Sequence, residues 1–201
     1  MRRQLAIFAK VPRLGQVKRR LAREIGDVAA WRFQRARLAA LLRGLARNPR
    51  WRATLFLTPD RLARGGGLRV NGLRLRAQGP GDLGARMRRA FLAKGHGPVV
   101  LVGSDIPSLG PNQIRDAFRA LGRKNDLVFG PAKDGGYWLI ASARRRGRMP
   151  PLAPVRWSSK HALADTRACF DKRHNIALLE MMEDVDDGAA YRRWRKRKSS
   201  P

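Results

Sequence analysis

The stretch "PVVLVGSDIPSLGPNQIRDAFRALG" (98–122) decides the fold class. Its first part, "PVVLVGSD" (98–105), is the most apolar run in the chain, and a continuous apolar run reads as a strand buried on both faces. The run stops at Asp105 and crosses a loop holding Pro107. It resumes as "GPNQIRDAFRALG" (110–122), a helix with Pro111 in its first turn and Gly122 at its end. Strand, polar tip and helix together predict an α/β chain with this strand central in a parallel sheet.

The same alternation extends in both directions. "QLAIFAK" (4–10) reads as a buried strand, followed by the loop "VPRLGQ" and a basic helix start, "VKRRLARE". "AAWRFQRARLAALLRGLA" (29–46) carries Trp31, Leu38, Leu41, Leu42 and Leu45 at helical spacing. "RATLFLT" (52–58) is a second strand, and after the glycine-rich "RLARGGGLRVNG", "LRLRAQ" (73–78) alternates as a half-exposed strand does. A helix over 81–95 has Asp82 as its N-cap. "LVFGPAKDGGYWLIAS" (127–142) supplies two strands joined by Lys133-Asp134-Gly135-Gly136, and Asp-Gly between apolar runs is a strong hairpin signal. A helix over 158–173 and a strand over 175–182 follow, then "EDVDDG". The expected architecture is a three-layer α/β/α domain over residues 1–190, with a basic tail over 191–201 that forms a fraying helix.

Composition narrows the function classes. The chain has 201 residues, 43% of them hydrophobic, which suits one folded domain. No apolar run approaches the roughly 20 residues that span a bilayer. The N-terminal apolar run is too short for a signal peptide, so a cytoplasmic protein is the simplest reading. Lone Cys169 excludes an internal disulfide and any cysteine-based zinc cluster. Lys and Arg number 44 against 15 Asp and Glu, a net charge of +29. Such a balance invites nucleic acid. The arginines are spread from Arg2 to Arg197, however, and only "ARRRGR" (143–148) and "YRRWRKRK" (191–198) are dense. An arginine-rich surface explains that spread at least as well, and nucleic acid ranks last among the candidate partners.

Open α/β sheets bind ligands beyond the carboxyl ends of their strands. There the first strand offers Lys10, Lys18, Arg19 and Arg20, cations that suit a di- or triphosphate beside a helix start, although a solvated basic helix face has the same composition. The fourth offers Asp105, either a metal-binding carboxylate or an Asx turn before Pro107. The last offers Glu183, Asp184, Asp186 and Asp187, of which Asp184 and Asp186 face one side of an extended chain and at least one of Asp186 and Asp187 caps the closing helix. His96, His161 and His174 lack metal-ligand spacing, and no nucleophile elbow is present. Metal-assisted direct displacement therefore fits better than covalent catalysis.

The ordered segments "FAKVPRLGQVKRRLA", "GDLGARMRRAF", "VVLVGSDIPSL", "LVFGPAKDGGYWLIA", "VRWSSKHALADT" and "DVDDG" resemble a bacterial family of GT-A-like glycosyltransferases, found in some genomes with radical-enzyme and arsenosugar clusters. The resemblance runs from about residue 4 to about 190. It implies the nucleotide-diphospho-sugar transferase fold, with Mg²⁺ or Mn²⁺ and a nucleotide-sugar or nucleoside triphosphate as ligands and a small molecule as acceptor. Lys10, Lys18 and Arg20 become phosphate contacts, with Asp82, Arg86 and Ser104 beside them. Asp105 becomes the metal-binding aspartate, with Asp184 or Asp186 as a second contact. Asp134 becomes catalytic, and Pro107, Gly135, Gly136, Tyr137 and Trp157 line the donor or acceptor pocket. Two positions depart from the family. Arg19 stands where it has a small hydroxyl in "VKTRL", and Asp187 stands where it has threonine in "DVDT". "GSDIPSL" is also similar to a strand end of molybdenum-cofactor guanylyltransferases, and "KVPRLGQVKRRL" to the lysine-rich loop of phospholactate guanylyltransferases. Nucleotidyl transfer with release of pyrophosphate is thus the alternative reaction.

Overall fold

A strand whose five middle residues are all apolar belongs in a sheet covered on both faces. The first strand, β1 (Gln4–Lys10), is of this kind: residues 5–9 are buried and Lys10 emerges at the carboxyl end. The structure, a computed structural model, describes residues 2–64, 73–93, 97–145 and 149–199. The glycine-rich connection at 65–72, His96 and the end of the 143–148 basic run lie outside the described residues.

After β1 come α1 (Arg19–Ile25), α2 (Asp27–Ala46), β2 (Arg52–Thr58), the single turn α3 (Arg61–Arg64), β3 (Arg74–Ala77) and α4 (Leu83–Leu92). The second half adds β4 (Val99–Val102), α5 (Pro111–Gly122), β5 (Leu127–Pro131), β6 (Tyr137–Ser142), α6 (Ala162–Ala168), β7 (Ile176–Leu178) and α7 (Gly188–Ser199). The seven strands lie in the order β3-β2-β1-β4-β6-β5-β7, which puts β4 at the centre as its composition predicts. Among the described strands only β6 runs against its neighbours, because the hairpin returns it beside β5 and β4. The sheet is therefore mostly parallel, and the fold is α/β.

Alternation along β1 sends side chains to two cores. Leu5 and Ile7 meet Leu38, Leu42 and Leu45 of α2 and Ile114, Phe118 and Leu121 of α5. Ala6 and Phe8 meet Met87 and Phe91 of α4, with Phe129 and Phe170. The four leucines expected on the apolar stripe of α2 are buried. Trp31 is half-exposed instead, and its indole N–H donates to the Pro12 carbonyl at 3.2 Å.

Several boundaries differ from the sequence expectation, among them the end of the strand expected over 98–105, which stops at Val102, and three more have a physical reason. The helix expected over 158–173 shrinks to α6. Ser158 takes a left-handed φ of 58°, the Ser159 hydroxyl donates to the Arg156 carbonyl, and the His161 amide donates back to that hydroxyl. Such side-chain bonds compete with a helical turn. The strand expected over 175–182 ends at Leu178, where the register of β5 shifts between Gly130 and Pro131. The chain rejoins the sheet only at Met182 through a bridge to Ala132. The closing helix starts at Gly188, and Tyr191 and Trp194 pack edge-on against Phe33 at 5.2 and 5.0 Å. Its first turns are thus part of a third apolar cluster with Leu21, Ala30 and Val185. Among the described residues no helix is long and apolar enough to cross a membrane.

Candidate active site

Parallel strands align their carboxyl ends, so the polar residues that terminate β1, β4 and β5, and the segment after β7, arrive at one edge of the sheet. There Lys18 draws two acidic segments together. Its ammonium lies 2.5 Å from Asp186 Oδ1 and 3.3 Å from Asp105 Oδ1. Burial pulls the lysine's pKa down, but the two carboxylates outweigh it and the net shift is upward. The same ion pair holds Asp186 below the ordinary carboxylate range against the opposing effect of burial. Lys18 precedes α1 in the left-handed region, at φ 48° and ψ 47°, a backbone state that a lysine keeps only where its surroundings enforce it.

Asp105 and Asp186 form the shared wall of two adjoining cavities. One, of about 310 Å³, is lined by Lys10, Gln16, Lys18, Arg19, Arg20 and Gln34. The other, of about 320 Å³, holds Asp134, Gly136, Tyr137, Trp157, Ser159 and Asp184. The three cations expected at the phosphates, Lys10, Lys18 and Arg20, are therefore brought together with Asp105. The seven-residue α1 is too short to contribute an anion site of its own, and side chains build this wall.

A divalent ion that takes part of its shell from substrate phosphates needs only one or two protein carboxylates. Asp105 and Asp186 fit that requirement, since both converge on one cationic centre, Lys18 Nζ. Among the described residues no group of three or more His, Cys, Asp or Glu is arranged to hold a metal ion. Asp105, Asp184 and Asp186 thus do not form a closed cage. Asp184 instead shares a hydrogen bond with Asp186, and burial followed by that neighbour pushes its pKa up to about 6. An acid with a raised native pKa favours the fold while protonated and loses that contribution as pH rises through the native value. Asp184→Asn is accordingly expected to match the wild-type melting temperature near pH 4 and to exceed it at pH 7, measured in EDTA.

The hairpin residues divide between turn and cavity. Asp134 Oδ1 accepts from the Gly136 amide at 2.9 Å, closing the turn while the carboxylate lines the cavity. Gly135, at φ 85°, does not face a ligand: a Cβ there would stand 2.3 Å from the Lys160 carbonyl oxygen. The Tyr137 hydroxyl turns inward to Thr166 and Met87, and burial raises its pKa, so it stays protonated.

Four further expectations fall elsewhere. Asp82 is the N-cap of α4, accepting from the Ala85 amide at 2.8 Å and from the Trp157 indole at 3.2 Å. It orients a cavity wall and stands apart from the basic cavity. Arg86 donates to the Gly81 carbonyl rather than reaching a phosphate position. Ser104 is buried beneath Asp105 in the chain, and neither cavity includes it. Pro107 accepts from Arg37 through its carbonyl and borders a smaller cavity with Glu183 and Trp194.

The sequence reading does not name Gln34, and it names Glu183 only as one of the closing carboxylates. Gln34 is buried and donates to Asp105 Oδ1 at 3.2 Å. Its signal was a lone amide within the apolar stripe of α2, four residues before Leu38. Glu183 pairs with Lys133, Arg193 and Arg197, tying the hairpin and α7 to the segment that carries Asp184 and Asp186. The Arg193 hydrogen bond holds its pKa down. The Asp187 carboxylate accepts from the Ala190 amide and serves as the cap of α7.

The fold has counterparts among known proteins. The family profile described as "Uncharacterized protein conserved in bacteria (DUF2064)" matches residues 41–159. A crystal structure from Desulfovibrio desulfuricans G20, provisionally named a nucleotide-diphospho-sugar transferase, shares 28% identity over 100% of this chain and 90% of its own, with a TM-score of 0.85. At 11% identity, the 4-diphosphocytidyl-2C-methyl-D-erythritol synthase of Anaerococcus prevotii DSM 20548 aligns over 94% of each chain with a TM-score of 0.61. Glucosyl-3-phosphoglycerate synthase of Mycobacterium tuberculosis, solved with Mn²⁺, UDP and phosphoglyceric acid, is 16% identical over 91% of this chain and 69% of its own, with a TM-score of 0.52. The last two likenesses concern the fold alone, that of the nucleotide-diphospho-sugar transferases. No curated protein matches the chain in sequence.

Proposed function

The chain belongs to the bacterial DUF2064 family, and from that premise we propose that it is a divalent-metal-dependent transferase using a nucleotide-activated donor, moving a glycosyl group to a small acceptor. One observation carries this reading: a cationic cavity and an aromatic, acidic cavity meet at Asp105 and Asp186. A donor laid across that wall has its phosphates among Lys10, Arg19 and Arg20 and its reactive bond beside the carboxylates. Asp105 and Asp186 are the residues that would hold Mg²⁺ or Mn²⁺, which when bound neutralises charge on the leaving phosphate. Trp157, fixed by Asp82, offers an indole face for a sugar or acceptor ring. Asp134, which lines the same cavity, would accept the proton of an acceptor hydroxyl.

Nucleotidyl transfer is the second reading, favoured by the density of cations in the phosphate cavity, where Lys10, Arg19 and Arg20 stand beside the Lys18 that pairs with the two carboxylates. The two reactions break different bonds and are separated by their products. Purified protein with Mn²⁺ and a panel of nucleotide-sugars is expected to release nucleoside diphosphate. Pyrophosphate released from GTP or CTP, with nucleotide-sugars inert, would replace glycosyl by nucleotidyl transfer. Turnover of neither donor class would end the transferase reading. Use of the last helix as a nucleic-acid arm is disfavoured, because Arg193 and Arg197 are engaged by Glu183 and its aromatic residues by Phe33.

A further inference from the structure

Lys18 Nζ occupies the point on which the Asp105 and Asp186 carboxylates converge. Its side chain is only 6% exposed, and its nitrogen touches one oxygen each of Asp105 and Asp186. A divalent ion binds carboxylate oxygens at about 2.0–2.6 Å. On Asp186 Oδ1, where the ammonium already lies 2.5 Å away, the two positive centres would stand close enough to repel each other. The two cations therefore compete for this wall.

Resting on the transferase reading above, we infer that Lys18 is a built-in placeholder cation that holds Asp105 and Asp186 until donor phosphates draw it away. Metal and donor then bind as a pair. Without phosphates, an entering metal would leave a buried ammonium with no partner, which is costly. With phosphates in the basic cavity, which Lys18 also lines, the same ammonium finds new anionic partners on its flexible stem. The effect is reciprocal, so metal tightens donor binding by the factor by which donor tightens metal binding. Gln34 remains on Asp105 in either state and keeps that carboxylate aimed at the wall.

The test is a titration with MnCl₂ alone, free Mn²⁺ being read by electron paramagnetic resonance, on wild-type protein, K18M, K18Q, K18R and K10M. K18M and K18Q are expected to bind Mn²⁺ about thirtyfold more tightly than wild type, in the middle of the usual range of coupling. K18R keeps the charge and should bind as weakly as wild type. Lys10 donates to the Gln16 carbonyl at 2.8 Å, so K10M removes an equal charge from the same cavity without freeing a carboxylate. Its gain should be about twofold, the scale of an exposed charge. No gain in the folded Lys18 variants, or an equal gain in K10M, overturns the inference. Melting curves give a second readout, because Mn²⁺ should stabilise K18Q more than wild type. The transferase reading fails separately if no nucleotide donor is turned over while the thirtyfold gain stands.

Discussion

Replacing Asp105 by asparagine is expected to lower kcat about a thousandfold, the scale on which enzymes lose rate when one preorganised electrostatic partner of the transition state is removed. The melting temperature should change little. Asp105 is an exposed loop residue following β4, and the burial of Ile106 and Leu109 in the same loop does not depend on its charge. Asparagine keeps its size and still accepts from Gln34. What it loses is the charge that faces Lys18 at 3.3 Å and closes the wall between the two cavities. A merely structural turn aspartate would give the opposite pattern, with stability falling and kcat preserved. Product release measured beside a denaturant titration separates the two.

The elements that position this residue were legible because each rests on local chemistry. The apolar run at 99–102, Pro111 and Gly122 bounding α5, and Asp-Gly in the hairpin all act within a few residues of themselves. Since strand ends could be read, so could the set of residues arriving at one edge: Lys18, Asp105, Asp134 and Asp186 meet there. What could not be read is which of them touch. The Lys18–Asp186 contact spans 168 positions, and the three pairings of Glu183 join the hairpin to the last helix. Those follow from packing angles that no local pattern contains. Asp82 shows the converse difficulty. Its place in a ligand-associated motif and its place at a helix start predict the same residue type, and the capping bond to Ala85 shows which need it meets. Gln34 was open to detection, because an amide inside an apolar stripe requires a buried partner.

Gly135→Ala is expected to cost about 2–5 kcal/mol of stability, which for a chain of this length lowers the melting temperature by about 10 °C. Two penalties add. At φ 85° a side chain clashes with its own backbone, worth about 1–2 kcal/mol. The new methyl would also stand 2.3 Å from the Lys160 carbonyl oxygen and 2.5 Å from its Cα, and backbone cannot rotate out of the way as a side chain can. Gly135 further accepts the Leu163 amide at 3.1 Å, so the strain passes into α6 and the Ser158–Ser159 wall of the cavity. Asp134→Ala makes the contrast. It removes one exposed bond to the Gly136 amide, worth about 1 kcal/mol, yet takes a carboxylate out of the cavity. Its loss should therefore fall on kcat, with little change in melting. If Gly135→Ala melted like wild type and lost only activity, the glycine would belong to the ligand and not to the docking of α6. The close approach to Lys160 argues for docking: adjacent residues of one turn serve different ends, the aspartate facing the chemistry and the glycine closing the fold behind it.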